Sequence, residues 1–330
     1  MKLPACSGQD KSLHETSLST MNSPSVIAQP TVSIGLPVYN GGRYLRQALD
    51  SLLAQTHKDF ELIIGDNAST DETEAICLEF AASDSRIRYF RHHENLGAVR
   101  NFLFVFEKAR GQFFMWAAHD DLWESNWLEQ MHATIASETG SMAYGQVQTI
   151  DDTGRPMVHP ANNRAFRFDQ SFAWIRQLSY FLQYEGLGKA NPIYGLFHRA
   201  DMVQLGFAAL MKGSYADCAY LFHVLSRLRM KSVAAVFHYK RVHAASGANV
   251  ATPQASSALT RYPVLARMNA VVRSLLNVDA IANYVERTHS LERFLLFTAI
   301  PLKILFTVHG LVLSYLCAQD NQARASGFSE

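Results

Sequence analysis

Through its first third the chain alternates short apolar runs with amphipathic stretches, and each run ends on turn-forming or polar residues. Thr31 to Leu36 is β-branched and apolar and closes at Pro37, which predicts a first strand. From Arg43 to Gln55 the apolar residues Leu45, Ala48, Leu49, Leu52 and Leu53 fall at the spacing of a helix with one buried stripe. Phe60 to Ile64 predicts a second strand that ends at Asp66-Asn67. Ser69-Thr70-Asp71-Glu72 then offers a capping box, Ser69 facing Glu72, for a helix to Ala82. Ile87 to Phe90 predicts a third strand, Gly97 to Ala109 a Phe-rich helix and Gln112 to Ala118 a fourth strand. Strands alternating with helices across short connections imply right-handed βαβ units and a parallel sheet.

Beyond residue 140 the pattern loosens. Met142 to Ile150 predicts a strand followed by a turn at Asp151-Asp152-Thr153-Gly154. Phe168 to Tyr184 and Asp217 to Met230 read as helical, and Pro192 to His198 and Ser232 to His238 as extended. Residues 1–29 are rich in Ser, Thr, Gln and Pro, without the apolar core of a secretory signal, and predict a disordered tail. Phe294 to Cys317 is almost wholly apolar, broken by Pro301, Lys303, His309 and Gly310. A Lys at the centre of a span costs roughly 2.5–3.5 kcal/mol. Three readings of this segment stay open: a helix lying at a membrane surface, a helix packed on the domain, and a true span. The expected partner is a membrane, touched peripherally through residues 290–317.

Composition narrows the class. The hydrophobic share of 48% is ample for a core. A formal net charge of +1 gives no electrostatic case for nucleic acid as a partner. Cys6, Cys77, Cys218 and Cys317 are widely spaced, which implies reduced thiols in the cytoplasm.

The chemistry gathers where apolar runs stop. Phe113 to Ala118 halts at His119-Asp120-Asp121, which places acids in the crevice where open α/β sheets bind ligands. Oxygen ligands in such a place suit Mg²⁺ or Mn²⁺, although two acids can also simply end a strand. Neither GxGxxG nor GxxxxGK[ST] is present. The first strand ends instead in Pro37-Val38-Tyr39-Asn40-Gly41-Gly42, where a ring and a backbone bend could hold a base. Asp66 ends the second strand as a candidate acceptor of ribose hydroxyls or as a plain loop acid. Asp217, opening an apolar helix, is either a base kept ionised by the helix N-terminus or an ordinary cap.

Thr31–Asn40, Asp66–Asp71, Asn95-Leu96-Gly97 and Ala117–Asp121 occur in the order and spacing of glycosyltransferase family 2, which the chain resembles over residues 31–250. The resemblance implies an α/β fold of the GT-A type, with a mostly parallel central sheet flanked by helices and a helical C-terminal extension. It divides the chain into a GT-A domain over 30–250 and a helical region over 251–330. Within the domain, 30–122 would bind nucleotide and 123–250 would serve acceptor and catalysis.

The implied activity is inverting transfer of a sugar from a nucleoside diphosphate, UDP- or dTDP-linked, to a glycan, lipid-linked or small acceptor. This would occur at the inner face of the cytoplasmic membrane, in polysaccharide or glycolipid synthesis. By the same resemblance Pro37, Tyr39, Asn40, Asp66, Asn67, Asn95, Gly97 and His119 face the nucleotide. Asp120, Asp121 and His243 hold Mn²⁺ or Mg²⁺, Arg241 and His243 meet the diphosphate on a closing loop, and Asp217 is the base. The chain departs from the family at Ala118 and Ala216, where acids are common. Those departures favour the alternative of a catalytically silent nucleotide-sugar-binding protein of the same fold.

Overall fold

A computed structural model describes residues 29–206 and 216–243, Ile281, Tyr284, Val285 and Thr288, and residues 290–326. The tail expected over 1–29 falls almost wholly outside the described residues, as does most of 251–289.

The first half follows the apolar pattern closely. β1 (Val32–Val38), α1 (Gly42–Leu53), β2 (Phe60–Asp66), α2 (Thr73–Ser83), β3 (Ile87–Arg91), α3 (Ala98–Glu107) and β4 (Phe113–Trp116) succeed one another in order. Every residue of β1, β2 and β4 is buried, because helices cover both faces of a parallel sheet. In α1 the stripe Tyr44, Leu45, Ala48, Leu49 and Leu52 is buried. Each such leucine stabilises by roughly 1.5–3 kcal/mol.

The capping box does not form. The Ser69 hydroxyl instead accepts the Asn40 N–H at 3.0 Å, and α2 starts at Thr73, whose N–H goes to Asp71 at 3.1 Å.

The second half completes one sheet. It contributes β5 (Leu122–Trp123), α4 (Trp127–Ile135), β6 (Ser141–Ile150), α5 (Ala173–Leu182), β7 (Leu196–His198), α6 (Arg199–Leu205), α7 (Ala216–Val224) and β8 (Arg229–Arg241). The strand order is β3-β2-β1-β4-β7-β6-β8-β5. Four of the seven pairings are parallel and three, around β7 and β5, are antiparallel, so the sheet is mixed.

Three expected elements come out shorter. The helix expected over 168–184 is confined to α5, because Phe168 exchanges backbone hydrogen bonds with Met230. The helix expected over 217–230 stops at Val224, because Arg229 and Met230 enter the sheet beside Ser141 and Met142. Pro192 to His198 is extended only at β7, after a 3₁₀ turn over Asn191–Tyr194. Trp116, Trp123 and Trp127 are core residues. Two further helices, α8 (Ser290–Thr298) and α9 (Ile300–Ser326), close the described chain.

Candidate functional site

The carboxyl ends of β1, β2 and β4 converge, and the loops leaving them are tied together by side chains. Asn40, at φ 50°, accepts the Thr70 N–H at 2.9 Å, which fastens the first loop to the second. Asp66 has no exposed surface. One of its oxygens accepts the Ser69 N–H at 2.9 Å; the other accepts the Tyr89 hydroxyl at 2.8 Å and faces Arg91 at 3.5 Å. Both oxygens of Asp66, a residue expected to face the nucleotide, are thus engaged within the protein, where they shape the loop. Asn67 donates to Asn95 at 2.8 Å and accepts the Leu96 N–H at 2.8 Å; Asn95 in turn accepts the Gly97 N–H at 2.9 Å. Gly97, at φ +84°, opens α3. Pro37 is buried in β1, whereas Tyr39, in the loop that follows, is 47% exposed. His119 packs against Gly41, where a Cβ would come within 2.7 Å of its ring.

The acidic motif separates into two roles. Asp120 lies 2.9 Å from His243, Oδ2 to Nε2, with side chains 14% and 11% exposed. The His243 ring also packs on Tyr44 at 4.8 Å. Asp121 is fully buried; it accepts from His238 Nε2 at 2.8 Å, Lys240 Nζ at 3.3 Å and the Arg241 N–H at 2.8 Å. Burial alone would raise its carboxyl, but Lys240, His238 and that N–H hold it well below the usual carboxylate range. In this geometry the Asp121 oxygens, expected to share a metal, clamp β8 to the turn after β4.

Arg241 also departs from its expected place. It ends a strand rather than riding a loop, and it is fully buried. Its guanidinium donates to the carbonyls of Asp120 (2.8 Å), Asp151 and Asp152 (both 3.2 Å) and to Gln47 Oε1 (2.8 Å), and it stacks on Tyr44 at 4.6 Å. With those donors engaged, the residue fastens three segments together.

Asp217 stands in the first turn of α7, half-buried, and accepts the Cys218 N–H at 2.7 Å. Burial pushes its carboxyl up, and the Cys218 N–H and the Lys240 charge offset only part of the rise. The helix terminus thus does not dominate as expected. A carboxylate raised toward neutrality is a better proton acceptor for a hydroxyl.

Lys240, which the sequence reading passed over, joins the two acidic places. Its side chain keeps 30% exposure, its ammonium lies over the Tyr194 ring at 5.6 Å, and its charge acts on Asp120, Asp121 and Asp217. The signal available was alternation: His238 and Lys240, two apart on one strand, both reach Asp121.

Among the described residues no group of three or more His, Cys, Asp and Glu is placed to hold a metal. Asp120 with His243 supplies one oxygen and one nitrogen donor. Mg²⁺ at phosphate sites is commonly held by so few protein ligands, with substrate oxygens and water completing the shell. The pair fits such an ion as a partial cradle.

Residues 33–195, just under half of the chain, match the family model described as Glycosyl transferase family 2, and this stretch belongs to that family. An uncharacterized glycosyltransferase of Rickettsia bellii is 38% identical over 134 residues, 39% of this chain and 19% of that protein. The chain thus spans about a fifth of that relative's length. Among solved structures, S. aureus TarS 1–349 in complex with UDP-GlcNAc gives a TM-score of 0.56 at 14% identity, covering 85% of this chain and 90% of that one. GalNAc-T7 with UDP, GalNAc and Mn²⁺ gives 0.52 at 14% identity, covering 66% and 45%. These likenesses, with the mixed sheet flanked by helices, give an α/β fold of the GT-A type.

Proposed function

We propose that the chain is an inverting glycosyltransferase using a UDP- or dTDP-sugar donor and a glycan, lipid-linked or small-molecule acceptor. The observation that carries this reading is the arrangement of Asp120–His243 and Asp217 around Lys240, at the carboxyl ends of the strands. Its fold neighbours with bound UDP-GlcNAc, and with UDP and Mn²⁺, support a nucleotide-sugar donor and a divalent ion.

Tyr39 stacks on the base, within loops held by Asn40, Asp66 and Asn67. Asp217 accepts the proton of the acceptor hydroxyl while that oxygen bonds to the anomeric carbon from the face opposite the leaving group. The bond from that carbon to the diphosphate breaks, and its electron pair leaves with the nucleoside diphosphate. Lys240 places positive charge beside that developing negative charge. When bound by Asp120 and His243, Mn²⁺ or Mg²⁺ would supply further charge there.

The test is donor-dependent release of nucleoside diphosphate from UDP-, dTDP- and GDP-sugars with a panel of glycan and lipid-linked acceptors. Asp217→Asn is expected to cut transfer by about 10²–10⁴-fold while nucleotide affinity stays near that of the parent. Near-normal turnover in that variant would remove Asp217 from the role. Nucleotide binding without release from any donor would favour the silent binder that Ala118 and Ala216 keep in view.

A further inference from the structure

The polarity of α9 is reversed for a helix in water. Lys303 and Thr307 are fully buried, Gly310 packs so closely on Tyr184 that a Cβ would meet the ring at 2.5 Å, and Ser314 is half-buried. Steps of four, three and four put these residues on one face, so the middle of the side against the protein is polar or small, with Ile300 and Ile304 packed on the core at its start. The outward side carries Leu305, Phe306, Val308, Val312, Tyr315 and Leu316, between 44% and 64% exposed. A helix on a soluble domain buries its apolar stripe and shows water its polar one. Lipid reverses this: small and polar residues turn to protein, and paired charges turn away from hydrocarbon.

Lys303 obeys that rule. Its ammonium donates to both Glu185 oxygens at 3.0 and 3.2 Å and to the Gln183 carbonyl, and Lys189 joins the same carboxylate at 2.8 Å.

We infer that α9 lies in the plane of a membrane, with its outward face in the hydrocarbon edge of the lipid and its inward face locked to the domain. The stretch Ile300–Asp320 is apolar enough for lipid and about 30 Å long, so length alone would also allow a crossing. The docking decides against one. Lys303 and Gly310 hold two turns of α9 to Glu185 and Tyr184, just after α5, and a crossing would carry the Glu185–Lys189 pair into hydrocarbon. Membrane binding on these grounds does not depend on the glycosyl-transfer reading, since it needs no donor or acceptor.

The experiment is flotation of the full chain with vesicles of phosphatidylethanolamine and phosphatidylglycerol. The parent should float, and the double variant Leu305→Glu/Val312→Glu should partition at least about a hundredfold less, with an unchanged circular dichroism spectrum. These positions are exposed, so the change leaves the core intact. Equal partition of parent and variant would overturn the inference. So would a parent that ignores vesicles and forms a dimer that the variant dissociates, because the face would then cover a second copy. A tag placed after Glu330 reads the orientation in inside-out membrane vesicles. Digestion by added protease is expected for an in-plane helix, and protection until detergent is added would mean a crossing.

Discussion

At the scale of single residues, burial separates two neighbouring cations on β8. Arg241 carries the more conspicuous charge, yet its guanidinium holds three segments together from a position with no exposed surface. Arg241→Met should therefore lower unfolding free energy by about 2–4 kcal/mol, through carbonyls left unpaired. The nucleotide affinity of the folded protein should change little; a large loss of affinity at unchanged stability would restore the phosphate role. Lys240 is the cation whose charge reaches Asp217. Burial raises the Asp217 carboxyl and the Lys240 charge opposes that rise, so removing the charge lets burial act more fully. In Lys240→Met the acid limb of the pH profile of kcat/KM should move to higher pH, and in Lys240→Arg it should stay near its parent position. A limb that does not move in the Met variant would separate Lys240 from the base.

At the scale of elements, the parallel half rests on one buried acid. Glu61 in β2 accepts from Ser33 in β1 at 2.7 Å, from the Arg110 N–H after α3 at 2.8 Å, and from Arg88 in β3 at 2.8 Å. Burial would raise this carboxyl, but Ser33, Arg88 and Arg110 together leave it lowered. A lowered folded value means stability that is fully present above the unfolded value of about 4.3 and lost as pH falls through the folded one. Glu61→Gln should cost about 1–3 kcal/mol at neutral pH and flatten the fall in urea midpoint below about pH 4.5. An unchanged acid slope would assign that fall to other carboxylates.

The same elements show what the sequence makes legible. The first four strands and α1 emerge from apolar runs and spacing, because strands buried on both faces read as unbroken apolar runs, whereas α2 is signalled by a cap that does not form. The second half is less legible, because β7, β5 and the Phe168–Met230 bridge join residues far apart in the chain, and local propensity does not encode those pairings. In the candidate site, motif position names Asp120 and His243, and the fold brings those two together. The burial of Asp66, Asp121 and Arg241 is not readable in this way, since it depends on which partners the fold brings to them. The inverted face of α9 lies between these cases. Its apolarity is plain in sequence, but the side that faces the domain appears only when Lys303 is seen against Glu185.

At the scale of the whole molecule, nucleotide and metal should act as one ligand shared by the two halves of the sheet. The loops proposed to hold the base follow β1 and β2, whereas the Asp120–His243 pair joins the turn after β4 to the end of β8. Two protein donors leave most of an ion's shell to be filled, and a diphosphate offers oxygens that a monophosphate lacks. Each ligand should therefore strengthen the other by the same factor. A ligand at a hundred times its dissociation constant raises unfolding free energy by about 2.7 kcal/mol. UDP and Mn²⁺ together should then raise the melting temperature by more than the sum of their separate effects, and UMP with Mn²⁺ should not. In Asp120→Asn the excess should vanish while a nucleotide increment remains, because Tyr39 and its loops are untouched. Additive shifts in the parent would leave Asp120 and His243 as a bare ion pair that fastens β8, and would place the charge on the leaving diphosphate with Lys240 instead.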